Sequence, residues 1–166
     1  MSRSGYVDDC DDVLQFGRWR GVIASTIRGR RGQAFLKEML AALDALPVKR
    51  LIANELARPD LLPCSHWGLY ETESVCAIGS VGKMRGIDMA ALDPDEYESV
   101  ACAFNISAPL AQEIVWMNDE AGAWKETPEQ RFTRIRKWVT SKIKPEPDSA
   151  ILKSRLATNG GGDSHE

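Results

Sequence analysis

Residues 16–46, FGRWRGVIASTIRGRRGQAFLKEMLAALDAL, decide the fold of this chain. In the first half, Phe16, Trp19, Val22, Ile23 and Ile27 recur at the spacing that lays side chains along one helical face. In the second half, Phe35, Leu36, Met39, Leu40 and Leu43 repeat the pattern, and Pro47 ends it because proline cannot continue a helix. Each stripe is too apolar to face water, and each helix is too short to persist alone. The two are therefore expected to pack on one another, hinged at Gly29–Gly32, and to recruit later segments.

The same stretch is basic. From Val13 to Lys37 there is no acidic residue, whereas Arg18, Arg20, Arg28, Arg30, Arg31 and Lys37 gather there. Immediately before it stand Asp8, Asp9, Asp11 and Asp12, positioned to cap the first helix and to favour its positive end. Two readings compete. In one, the hairpin is simply solvated and its acidic entry offsets its basic corner; in the other, the corner binds an anionic partner, protein or nucleic acid. Arg18 and Arg20 flank Trp19 and can run along its apolar stripe, so Arg28, Arg30 and Arg31 carry more of the binding hypothesis.

With 166 residues, 43% hydrophobic and 27% charged, the chain suits one domain able to bury a real core. A net charge of -3 argues against coating DNA through bulk charge, although a local patch can still meet phosphates. No apolar run reaches the roughly 18 residues of a membrane span, and the acidic N-terminus lacks the features of a signal peptide. A cytoplasmic location without membrane partners is the expectation. Cys10, Cys64, Cys76 and Cys102 form no C-x-x-C pair and read as free thiols. Cys64 and His66 with Cys76 suggest zinc, but no fourth ligand stands nearby, so no metal is expected. In GSVGK, residues 79–83, too few residues separate the glycines and Met84 follows the lysine, which is not a Walker A loop; no cofactor is expected.

Taken in order, residues 1–12 read as an acidic arm, 13–144 as a helical domain and 145–166 as a disordered tail ending in NGGGDSHE. Arg50–Leu56 is ambiguous between helical turn and strand, while Trp67–Thr72 alternates like a strand, so a small two-stranded hairpin is compatible with this region. Ala57–His66, with Pro59 and Pro63, is expected to be an irregular loop. Ser74–Arg85 reads as helix stopped by Gly86, with Gly79 and Gly82 open to the approach of another helix. Asp93-Pro94-Asp95-Glu96 starts a helix to Phe104, Ser107 and Pro109 open another, and Thr127-Pro128-Glu129-Gln130 opens the last. That last helix carries a stripe of Phe132, Ile135, Trp138, Val139 and Ile143, with Arg131, Arg134, Lys137 and Lys142 on its other side. The fold class is mainly α: a single compact domain of about five or six helices. Its expected core is Trp19, Phe35, Leu36, Met39, Leu40, Phe104, Ile114, Phe132, Ile135 and Val139.

Val100–Trp116 has the apolar register of a helix-turn-helix, with Asn105 at the turn where a left-handed residue is needed. Its second helix would present Ser107, Ala108, Pro109, Gln112 and Glu113, without an Arg or Lys to meet phosphate or guanine. A structural αα corner explains the spacing equally. Asn118-Asp119-Glu120 suits capping better than ion binding, and Trp67, Tyr70 and Trp124 finish a small core or line a groove. There is no central histidine with partners, no nucleophile motif and no paired carboxylates, so a non-enzymatic role is expected.

The segments SRSGY, RWRG, GRRGQAFLKEMLAALDALPVKRLIANEL, VCAIGSVGKMRGIDM, LDPDEYESVACAF and NDE with ETPEQRF together resemble an uncharacterised family encoded by phages and prophages of proteobacteria. The resemblance runs over residues 2–143, with Ala57–Glu73 longer than in many relatives. It implies an accessory protein in the cytoplasm of a bacterial host, binding a host or phage macromolecule and modulating a host process or defence. It assigns no activity to any residue. The alternative is a small nucleic-acid-binding regulator of helix-turn-helix type. The oligomeric state is left open.

Overall fold

The computed structural model describes residues 13–64 and 68–145, with backbone alone for 60–64 and 68–72. The expected acidic arm 1–12 lies outside the described residues, as does all of the expected tail beyond residue 145. The order is α1 (Val13–Arg28), α2 (Arg30–Ala45), β1 (Ala57–Cys64), β2 (Gly68–Val75), α3 (Ala77–Arg85), α4 (Tyr97–Phe104), α5 (Ala108–Asp119) and α6 (Pro128–Lys142). The architecture is mainly α, with six described helices and one two-stranded antiparallel sheet.

The centre is α2, which packs against α1, α3 and α6. Phe35, Leu36, Met39, Ala42 and Leu43 are its buried face, and Phe35 meets Phe104 of α4 edge to face at 6.4 Å. Leu40 lies at the margin of that face and is only half-buried, a correction to its expected place in the core. The α1 stripe is also shorter than expected. Ile23 and Ile27 are buried and Trp19 is half-buried, but Phe16 is 37% and Val22 44% exposed, so the buried face of α1 lies in its C-terminal half.

The hinge is narrower than Gly29–Gly32. Only Gly29 interrupts the helices, in an extended conformation that any residue adopts. The glycine that the corner requires is Gly32, inside α2, where a Cβ would come within 2.0 Å of the Thr26 carbonyl oxygen.

The largest correction concerns residues 57–66. Rather than an irregular loop, Ala57–Cys64 is a strand paired with Gly68–Val75, in a register running from Ala57 opposite Val75 to Cys64 opposite Gly68. Pro59 and Pro63 are compatible with it because strands alternate with period two. Both imide nitrogens fall on one edge, and a strand with a single neighbour has an edge that needs no donor. Val75 ends β2, so the helix expected from Ser74 begins at Ala77, capped by Cys76, whose Sγ accepts the Gly79 N–H at 3.3 Å. Residues 50–56 are neither helix nor strand. They bury Leu51, Ile52 and Leu56 while their backbone finds partners: Leu51 N–H donates to Pro128, Ile52 N–H to Val75, and Leu56 accepts from Cys76. Gly79 consequently lies against the Leu56 carbonyl rather than against a helix, and Gly82 lies against Met89 and Phe104.

The local start and stop signals fare well with one exception. Gly86 and Asn105 are left-handed at the ends of α3 and α4, and Thr127 and Gln130 form a reciprocal capping box on α6. The exception is Asp93-Pro94-Asp95-Glu96. The Asp93 carboxylate accepts the Asp95 N–H at 2.8 Å, which closes a turn and delays α4 to Tyr97. Among the described residues no single helix is long and apolar enough to cross a membrane. The α4–α5 pair is so only as a couple bent by 107°, and Val100, Phe104, Leu110, Ile114 and Val115 within it are buried in the protein core.

These burials make a stability prediction. Leu36, wholly buried, should lose about 2–5 kcal/mol on replacement by alanine, and half-buried Leu40 clearly less, as read by urea unfolding. Equal losses at the two positions would mean that α2 is rotated from this register.

Candidate functional site

The tight corner between α1 and α2 brings together two sets of residues that are far apart in sequence. Arg30 and Arg31, in the first turn of α2, line a cavity of about 290 Å³ with Thr26, Gly29, Gly32, Ile106, Ser107 and Leu110. Ser107 is the N-cap residue of α5, and Gly29 is that of α2, and neither helix start has a side-chain cap hydrogen bond. At α2 the first-turn N–H groups have no intrahelical acceptor, whereas at α5 Pro109 has no N–H and the Leu110 N–H donates to the Ser107 carbonyl at 2.9 Å, so one open helix start, the positive end of a second helix and two guanidinium-bearing residues face one opening. An oxyanion is the chemistry that this arrangement suits.

The arginines at this corner differ from those elsewhere. Arg85 pairs with Glu38, Arg134 with Glu126, Arg136 with Asp44 and Arg58 with Glu55, and Arg50 bonds Ser74. Among the described residues, the side chains of Arg18, Arg28, Arg30 and Arg31 enter no ion pair.

The remaining candidates are dispersed. Arg28 is exposed but does not line the cavity, standing about 200° around α1 from Thr26. Its backbone carbonyl accepts Lys144 Nζ at 2.8 Å. Arg18 is exposed farther along α1, and Lys37 is exposed on α2 away from the cavity. Arg20 turns inward to Glu113 of α5 at 3.4 Å.

That contact corrects the expected presentation of α5. Ala108 and Gln112 are half-buried, and Glu113 is only 2% exposed, set beneath α1 rather than offered to a duplex. Burial pushes the Glu113 carboxyl up to about 7, with the Lys142 charge pulling the other way. Trp124, expected in a small core or groove, is 97% exposed, while the side chains of Trp67 and Tyr70 lie outside those described. Of the cysteines weighed for zinc, Cys76 is buried in the α3 cap, and burial raises its thiol to about 12.

Sequence reasoning missed a polar cluster at the far end of α5. The Asn118 amide donates to the Ile52 carbonyl at 2.8 Å and accepts the Ala77 N–H at 3.1 Å. Asp119 accepts the N–H of Asn54. Arg131 and Arg134, expected on the solvent side of α6, turn to the C-terminal carbonyls of α5. Arg131 bonds Asn118 and Leu51, and Arg134 bonds Met117 and Asn118. Glu126, held below the usual carboxylate range chiefly by its hydrogen bond with Arg134, completes the group. The available signal was Asn118-Asp119 at a helix end with Arg131 and Arg134 one turn apart.

No protein-family model, curated protein or solved structure matches the chain.

Glu113 makes a pH prediction. Between its ordinary 4.5 and about 7 the folded chain retains a proton that the unfolded chain has lost, so stability falls as pH rises through that window. Glu113→Gln should flatten this part of the stability–pH curve, followed by thermal melts across the range. An unaltered curve would show that the carboxyl is hydrated.

Proposed function

We propose that this is a non-enzymatic, phage-type accessory protein that binds a host or phage macromolecule and so modulates a host process or defence. Its docking point is the cavity of Arg30 and Arg31, which takes an anionic group of the partner. The observation that carries the reading is the convergence of two uncapped helix starts with two arginines free of ion pairs among the described residues. A binding role also accords with the two strongly displaced titrating groups. Glu113 and Cys76 are both buried, one under α1 and one within a helix cap, where neither is presented to a substrate. The sequence resemblance to phage and prophage proteins supplies the biological setting.

The second reading is a nucleic-acid-binding regulator, and the geometry of α4–α5 favours it. These helices meet at 107° through a turn with left-handed Asn105, within the usual range of helix-turn-helix pairs. Because α5 carries no Arg or Lys, phosphate contacts would fall to Arg30 and Arg31 beside its N-terminus.

Replacing Arg30 and Arg31 together by Gln tests both readings. Fluorescence anisotropy with labelled duplex and single-stranded DNA, titrated with salt, should give steeply salt-dependent binding lost in the variant if the second reading holds. Under the first, neither form binds nucleic acid, while a specific host or phage protein is recovered with the wild-type chain and lost with the variant. Equal recovery by both forms would remove the cavity as the docking point. Because the two side chains make no ion pair within the described fold, the melting temperature should barely move.

A further inference from the structure

The lining of the Arg30 and Arg31 cavity changes in character with depth. Arg30 and Arg31 are exposed, Thr26 and Ser107 are half-buried, and Ile106 and Leu110 are only 7% and 1% exposed. Cations therefore stand at the mouth and two aliphatic side chains at the floor. At the level between them, the Thr26 hydroxyl donates to the Ile23 carbonyl at 2.9 Å and has no second proton to give. The Ser107 hydroxyl makes no cap hydrogen bond at the start of α5 and keeps its proton for a ligand. Because Arg30 and Arg31 enter no ion pair among the described residues, the cavity matches a group that is anionic at its mouth and apolar at its floor.

We infer that the group docking here is the free C-terminal end of a partner polypeptide whose last residue is aliphatic. Its α-carboxylate is held by Arg30 and Arg31, with the Ser107 hydroxyl as a further donor, and its side chain rests on Ile106 and Leu110. The inference rests on the proposed function, in which this cavity is the docking point, and names what enters it. In a terminal residue the carboxylate and the side chain diverge from one carbon, so one stays at the mouth while the other descends. Other anions match only one level of the lining. An internal Asp or Glu carries its carboxylate at the tip of the side chain. Entering the cavity, it brings charge onto the aliphatic floor, where desolvation opposes it; staying at the mouth, it leaves the floor empty. A nucleic-acid phosphate can meet the arginines but has no aliphatic branch for Ile106 and Leu110. A fatty acid has both parts. The cavity of about 290 Å³, however, falls at the lower limit of the roughly 300–1,000 Å³ of small-molecule pockets, room for one side chain rather than an acyl chain.

Fluorescence anisotropy of the full chain with N-terminally labelled peptides of glycine and serine tests it. A peptide ending in leucine with a free carboxylate should bind. Converting that end to the carboxamide, or replacing the leucine by glycine, should each weaken binding about tenfold or more. Both comparisons alter only the peptide, so neither depends on the fold of a variant. In Arg30→Gln with Arg31→Gln, binding of the leucine carboxylate should fall by a similar factor. The difference between carboxylate and carboxamide should then vanish, because the two changes remove the same interaction. Equal binding of carboxylate and carboxamide in the wild type overturns the inference. Equal binding of the leucine and glycine ends also overturns it, since a bare anion, an internal carboxylate or a phosphate, then suffices. No binding by any of the peptides overturns it as well. If a macromolecular partner is nonetheless recovered with the wild type and lost with the double variant, the cavity remains the docking point and only the chain end is wrong. If the double variant changes neither peptide binding nor partner recovery, the docking point falls with it.

Discussion

The C-terminal end of α5 is the constraint around which the rest of the molecule is arranged. A helix leaves its last carbonyls without intrahelical donors, and here that end is buried, where an unsatisfied polar group costs about 1–3 kcal/mol. Arg131 and Arg134 satisfy it from α6, while the Asn118 side chain reaches in the opposite direction to Ile52 and to the start of α3. One cluster thereby joins four pieces of chain: the irregular segment after α2, the N-terminus of α3, the end of α5 and the first turns of α6. It also explains how residues 50–56 cross the interior without regular structure, since Leu51 and Ile52 obtain partners from α6, β2 and Asn118.

The same cluster sets the distribution of charge. Arginines on α6 are turned inward or paired across to Glu126 and Asp44. Those of the α1–α2 corner have no such obligation within the described fold. A chain with net charge -3 can therefore still present a local cationic opening, because its cations are unevenly committed as well as unevenly spread along the chain. The tightness of the corner contributes as well. Gly32 against the Thr26 carbonyl closes the start of α2 onto the end of α1, and the start of α5 lines the same cavity beside that corner.

What could be read in the sequence was whatever depends on neighbouring residues. The caps at Gly86, Asn105 and Thr127 and the apolar face of α2 follow from local chemistry and period, and they appear where expected. Features that depend on distant partners were illegible. Pro59 and Pro63 made β1 look irregular, because nothing local reveals that the strand has one neighbour and a free edge. Arg131 and Arg134 looked solvent-facing because charge usually is, and only the position of α5 gives them buried acceptors. Glu113 misled for the same reason, although Leu110 three residues before it and Met117 four after place it on an apolar part of the helix. At the candidate site, Arg30 and Arg31 were visible as a pair and Ser107 as a helix start, but their convergence was not, since the residues between them fold first into a hairpin and two helices.

The prolines of β1 have one more consequence, for how the molecule behaves in a crowded solution. A two-stranded ribbon ordinarily offers a row of backbone donors and acceptors on each side, a template on which further strands can assemble without limit. With Pro59 and Pro63 four residues apart, one edge of β1 is interrupted twice over its eight residues, so an incoming strand finds gaps where its acceptors need N–H groups. The outer edge of β2 carries no proline, but two ribbons that pair along it leave only β1 edges outside, so strand addition has no open edge on which to continue.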